Sequence, residues 1–193
     1  LPQKTQEAIN HLNMFSFDKV VLTFPSIFWN RDEHKQFIGV TPNVSDYDDP
    51  QQPVWAAFLN YAYYIKKPIL IAYTAGHSAD VMESLTNNQI KASVMQTLRH
   101  VYGNQIPQPT HITVTRWGKD PSAFGSYTSL GLHALKNNQD IINLTKPVNN
   151  ALFFAGEGTS TRYSTTVHGA YLSGIRAAQQ ALKSIKERHL ESR

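Results

Sequence analysis

The chain has no cysteine, which excludes a disulfide framework and a cysteine-based zinc site. It also lacks any metal-ligand spacing, so no metal is expected. Charge is sparse and balanced: 18 basic against 14 acidic residues give +4, with no Lys/Arg run longer than two. Mild, dispersed basicity of this kind serves solubility, and no nucleic-acid partner is expected from it. No apolar run approaches the roughly 18 residues of a helical membrane span, so no membrane partner is expected either. No signal-peptide pattern is visible, and the first residue is Leu1 rather than Met. The true N-terminus is therefore expected to lie upstream of Leu1. The compartment stays open, with a cytoplasmic address favoured. Internal repeats, low-complexity tracts and a G-x-G-x-x-G dinucleotide fingerprint are all missing.

What is present suffices for a folded protein. Over 193 positions, 41% hydrophobic and 11% aromatic residues can fill one core or two small ones. Pro2–Leu12 reads as a short helix with Ala8, Ile9 and Leu12 on one face. Strands are expected at Lys19–Phe24, Phe37–Val40, Ile69–Tyr73 and His111–Trp117, and the aromatic-rich run Val54–Ile65 is read as another. Residues 41–53, with Pro42, Pro50 and Pro53, form a loop. Helices are expected at Ser78–Ser84 and at Asn87–Tyr102, the latter with Ile90, Val94, Leu98 and Val101 on one face. The closing helix carries Ala170, Tyr171, Ile175, Ala178, Leu182 and Ile185 at helical spacing. The pattern is α+β: an antiparallel or mixed sheet with helices over residues 1–117, then a closing strand–turn–helix over residues 118–193.

Two stretches carry chemistry. An apolar strand, Leu152–Ala155, runs into the glycine–carboxylate turn Gly156-Glu157-Gly158, and Thr165-Thr166-Val167 caps the helix that follows. A strand end meeting a helix N-terminus suits a polyanionic cofactor. Upstream, Arg116-Trp117 and Asp120-Pro121 precede Gly125-Ser126-Tyr127. The Phe154-Ala155-Gly156-Glu157-x-Thr159 and Val167-His168-Gly169-Ala170…Ser173-Gly174 elements resemble the C-terminal flavin-binding signature of the flavin-containing amine oxidases. The likeness is to the polyamine oxidase and histone lysine demethylase branch. Lys19–Phe24, Phe28-Trp29, Pro68–Gly76 and Val114–Trp117 are similar to the substrate-domain half of those enzymes, so the resemblance spans almost the whole chain.

That resemblance implies an FAD enzyme of which this chain holds the substrate domain and the terminal strand–turn–helix of a Rossmann-like FAD domain. The N-terminal FAD-binding half would be a missing partner, and activity of the chain alone is not expected. Trp117 and Tyr127 would line the cavity for a small-molecule amine, with Tyr127 as one wall of an aromatic cage. Gly156, Glu157, Thr166 and Val167 would hold the flavin, and molecular oxygen would be the co-substrate. The flavin-facing lysine of the family is carried onto no residue, because Lys4, Lys19 and Lys35 all lack its context. His168 is not assigned as a base, since a lone histidine in a first helical turn is more often packed or solvated. The acidic residues Asp46, Asp48 and Asp49 are read as a solvated turn, with guidance of a polycation as a weaker option. Trp55, Phe58, Tyr61, Tyr63 and Tyr64 are read mainly as sheet packing. Two rivals stay open: a non-catalytic interaction domain that kept the fold, and a related FAD oxidase acting on amino acids or non-amines. For the amino-acid version, Arg99 and Arg116 are the nearest carboxylate-binding candidates.

Overall fold

The computed structural model describes residues 1–29, 35–41, 51–130 and 138–191. The acidic turn at Asp46, Asp48 and Asp49 lies outside them. In chain order the elements are α1 (Gln3–His11), β1 (Leu12–Phe15), β2 (Phe17–Thr23), β3 (Phe37–Gly39), β4 (Ala57–Asn60), α2 (Ala62–Ile65), β5 (Ile69–Ala75) and α3 (His77–Ser84). They continue with α4 (Asn87–Tyr102), β6 (His111–Val114), β7 (Tyr127–Leu130), α5 (Gln139–Thr145), a 3₁₀ turn (Glu157–Thr159) and α6 (Val167–Glu191). No described helix is long and apolar enough to cross a membrane.

The fold is α+β with antiparallel sheets. It divides into two compact units, one of Ser16–Ser126 and one of Leu1–Phe15 with Tyr127–Arg193. The sequence reading broke the chain at 117/118 and kept the first residues with the sheet. By contacts the break falls at 126/127, and the N-terminal segment folds with the C-terminal one because β1 pairs with β7.

In the Ser16–Ser126 unit the strand order is β3-β4-β5-β2-β6. Side chains alternate across a strand, so β2 turns Asp18, Val20 and Leu22 inward, and β5 does the same with Leu70, Ala72 and Thr74. Helix α4 covers that face with Ile90, Val94, Met95 and Leu98. Met95 completes the face where Val101 was expected, and Val101 is exposed. Each such side chain contributes about 1.5–3 kcal/mol on burial. Trp55 and Phe58 belong to this core, whereas outside it the Tyr64 ring meets Tyr61 at a tilt and Tyr63 edge-on. The expected strand over Val54–Ile65 is shorter: only Ala57–Asn60 is extended. Because Asn60 pairs with Leu70, the chain must reverse between them. It does so through the helical turn α2, which Lys66 closes in a left-handed conformation (φ 56°). Similarly, β6 ends at Val114, short of the expected Trp117.

In the second unit β1 and β7 form an antiparallel pair, Leu12↔Leu130 to Phe15↔Tyr127. Helix α1 lies against α5, where His11 Nδ1 meets Asp140 Oδ2 at 3.0 Å. The 25-residue α6 buries Ser173, Ala177 and Ser184, so its inner face is made of small residues. The expected apolar stripe points outward instead: Tyr171 is 70% exposed and Leu182 59%, with Ile175 and Ile185 also exposed. The expected strand Leu152–Ala155 is also corrected. Leu152 makes a single antiparallel bridge to Val148, and no ladder continues from it among the described residues. A strand persists only where a neighbouring edge takes its N–H and C=O groups; here the carbonyl of Phe154 goes to Arg176.

Candidate functional site

Gly156 opens the turn at φ 132°, a conformation that favours glycine. Its N–H donates to Ser173 Oγ at 2.9 Å, tying the turn to α6. Glu157 then acts as a three-way brace. Its Oε1 accepts from Thr128 N (2.7 Å) and Thr128 Oγ1 (2.6 Å), and its Oε2 accepts from Thr165 N (2.6 Å). Strand β7, the turn and the entry to α6 thus converge on one carboxylate. Thr165 sits at φ 63°, a left-handed conformation that costs a non-glycine residue about 1–3 kcal/mol. Its charge-assisted bond to Glu157 offsets that cost. Gly158 packs on Thr128 so closely that a Cβ would strike the threonine hydroxyl.

Helix α6 starts as the sequence indicated. Thr166 Oγ1 accepts from Gly169 N at 3.0 Å and donates to Tyr163 O at 2.7 Å, the arrangement of an N-cap threonine. Val167, the first helical residue, is 88% exposed. Its side of the helix therefore offers first-turn N–H groups and the positive end of the macrodipole to whatever adjoins it. His168 packs edge-on against Tyr163, ring centroids 4.8 Å apart.

Arg176, one turn beyond Ser173, holds the turn from behind. Its Nη1 donates to Thr159 O (2.9 Å), and its Nη2 to Phe154 O (2.8 Å) and Thr159 Oγ1 (3.0 Å). Burial lowers its pKa from the ordinary arginine value. The guanidinium fork replaces a strand ladder as the device that fixes residues 154–159.

A cavity of about 300 Å³ opens beside this turn, lined by Tyr127, Thr128, Ser129, Ile141, Gly158, Ser164 and Thr165. The half-buried Tyr127 ring lies 5.4 Å from that of Phe15, its partner across β1 and β7. Of the residues singled out from the sequence, Tyr127, Gly156, Glu157, Thr166 and Val167 therefore belong to one unit. Tyr127 and the Glu157-bound Thr165 line the same cavity.

Trp117 belongs to the sheet unit and is 42% exposed. Its N–H donates to Asp18 Oδ1 (3.2 Å) and its carbonyl accepts from Gly125 N (2.9 Å). Ser126 closes the same loop by donating to Phe17 O and accepting from Phe17 N. Arg116 is committed to Leu85 O (3.0 Å) and Asn87 Oδ1 (2.8 Å).

The sequence reading quoted Ser173 within the motif without giving it a role, and it missed Thr128, Arg176 and the buried carboxyls Asp18 and Glu83. Signals existed for some of them. Ser173 and Arg176 are three apart on a helix and so share a face, and Asp18 alternates in phase with Val20 and Leu22.

Comparison with known proteins supplies context for this geometry. Residues 1–182 match the family described as flavin containing amine oxidoreductase. Among curated relatives, Lysine-specific histone demethylase 1 homolog 2 of Arabidopsis thaliana is 36% identical over 187 residues, covering 94% of this chain and 24% of that protein. Possible lysine-specific histone demethylase 1 of Drosophila melanogaster is 36% identical over 189 residues, 92% of this chain and 20% of the relative. Among solved structures, wild-type putrescine oxidase bound to putrescine superposes with a TM-score of 0.71 at 21% identity. That match covers 95% of this chain and 38% of the oxidase. The chain thus spans about a quarter of the length of the curated relatives it matches.

Proposed function

Because this chain belongs to the family of flavin-containing amine oxidoreductases, we propose that it is the substrate-side and closing portion of an FAD-dependent amine oxidase acting on a primary or secondary amine. The observation that carries this reading is the cavity walled by Tyr127 and Thr165 beside a turn that Glu157 braces against the start of α6.

The residues present fit a flavin. Gly156 lets the backbone approach a cofactor, since its conformation admits no other residue without strain. Thr166 and Val167 bring an exposed, electropositive helix end to a negatively charged ring edge. Glu157 supports the site mainly by holding Thr128 and Thr165, and one lone-pair direction stays open for a ribityl hydroxyl or a water. When bound, FAD supplies the hydride acceptor that turns an amine into an imine, with the electrons passed to oxygen as hydrogen peroxide. The chain's own part is to bind, orient and keep dry. The Tyr127 face attracts the amine through its ring quadrupole. Exclusion of water favours the neutral amine, the form able to lose hydride from its α-carbon. Trp117 is proposed as the second aromatic wall on the family resemblance.

An N-terminal FAD-binding half is proposed to cover the outward stripe of α6. Along that stripe Tyr171, Ile175, Leu182 and Ile185 are exposed. Of the two arginines considered for an amino-acid substrate, Arg116 is already spent on a helix junction.

The test is the full-length protein, which should show the visible absorbance of oxidised flavin and release peroxide when given polyamines. Tyr127→Ala should lower kcat/KM about tenfold with the flavin retained. A colourless protein, or a flavoprotein inert to amines, would end this reading.

A further inference from the structure

A buried pair of carboxyl groups lies beneath the Trp117 turn. Strand alternation turns Asp18 of β2 to the core side, where it is fully buried, and α3 buries Glu83 beside Met82. Asp18 Oδ1 accepts from Thr115 Oγ1 (2.7 Å) and Trp117 N (3.2 Å), and Glu83 Oε1 accepts from Gly118 N (2.7 Å). A Cβ on Gly118 would crowd the Glu83 carboxyl at 3.0 Å. Among the described residues no ion pair reaches either acid. The adjacent cations are spent on backbone carbonyls, Lys119 on Glu83 O (2.6 Å) and Arg116 on Leu85 O. Lys19 lies on the opposite face of β2, over the Phe17 ring. Asp80 of α3 takes the Ser16 hydroxyl, and Asp120 takes Ser122 N.

Asp18 Oδ2 is buried and receives no N–H or hydroxyl donor, and the two buried carboxyl groups take successive N–H groups of one turn, Trp117 and Gly118. Two ionised carboxylates buried together with no cation beside them repel each other, and one proton held between them removes that cost. We infer that Asp18 and Glu83 share a single proton and act as positioning residues for Trp117, the joined pair taking the N–H groups of Trp117 and Gly118. Burial, and then the neighbouring Asp18 carboxyl, raise the Glu83 carboxyl above the ordinary glutamate range, against smaller opposing effects from the backbone N–H groups of Gly118 and Lys119. A group raised in this way stabilises the fold at low pH. The contribution is lost as pH climbs through the raised value. The link to amine oxidation rests on the proposed function, whereas the proton sharing does not.

The experiment compares the full-length wild type with Glu83→Gln, Glu83→Ala and Asp18→Asn, measuring Tm and amine turnover at about pH 5 and about pH 8. A glutamine amide gives Asp18 Oδ2 its donor and leaves an oxygen for Gly118 N. Glu83→Gln should therefore keep the wild-type Tm at the lower pH and lose less of it at the higher one, whereas Glu83→Ala should lose several degrees at both. The KM for amine should rise about tenfold in Glu83→Ala and stay near wild type in Glu83→Gln. Asp18→Asn, which retains a donor and an acceptor, should behave like Glu83→Gln and serves if the alanine variant does not fold. Glu83→Gln as unstable as Glu83→Ala, or wild type and Glu83→Gln tracing one Tm–pH curve, overturns the shared proton. An unchanged KM in a Glu83→Ala that has lost Tm overturns the positioning role. Absence of turnover in every protein, wild type included, strikes the proposed function, and the Tm comparison still decides the pair.

Discussion

The two units solve the problem of stability in different ways. The Ser16–Ser126 unit closes on itself: a five-stranded sheet and two helices enclose Leu22, Trp29, Phe58, Met82 and Leu98, all of them fully or almost fully buried. The unit of Leu1–Phe15 and Tyr127–Arg193 has a two-stranded sheet, and its longest helix turns small residues inward and large apolar ones outward. Its turn is fixed by polar devices instead, namely Glu157, Ser173 and Arg176. Hydrophobic burial is strong but non-directional. Hydrogen bonds to a carboxylate or a guanidinium fix direction. A unit that must hold backbone groups in a set geometry for a ligand is well served by the second kind of force, provided something else covers its apolar side.

The comparison can be broken most severely from the sheet side. Phe58→Ala should cost about 3–5 kcal/mol, read as a lowered denaturation midpoint in urea; a loss below about 1 kcal/mol would mean the core is not closed as described. Next comes Glu157→Ala, which strips three hydrogen bonds from the turn and leaves Thr165 in a strained conformation. It should cost about 1.5–3 kcal/mol and, in the full-length protein, release flavin on gel filtration while wild type retains it. Retention of flavin by this variant would remove Glu157 from the site. The smallest effect sharpens the contrast. Leu182→Ala should change the stability of the present chain by no more than about 0.5 kcal/mol, because the side chain is already exposed. In the full-length protein the same change should cost about 2–5 kcal/mol. Equal, negligible effects in both would mean that the stripe is bare in the whole protein too.

Much of the fold was legible because it depends on local pattern. The apolar run Lys19–Phe24 marked β2, and the spacing of Ile90, Val94 and Leu98 marked α4. The Thr166 cap gave the start of α6. Leu152–Ala155 shows where local reading stops. Its residues have the composition of a strand, but a ladder requires a partner edge, and composition cannot report whether one is near. Glu157 shows the same limit within the site. A carboxylate between two glycines was recognised as special, yet its donors, Thr128 and Thr165, come from a distant strand and from the far side of the turn.

The sequence by itself determined most elements of the sheet unit, the cap of the closing helix, the position of the Gly156–Glu157 turn and the family, because short-range stereochemistry and motif spacing are written in neighbouring residues. Tertiary structure alone decided that β1 pairs with β7, that Arg176 and Ser173 fix the turn, and that two acids meet beneath Trp117. Each of those depends on groups far apart in the chain, and only folding determines which of them come within hydrogen-bond distance.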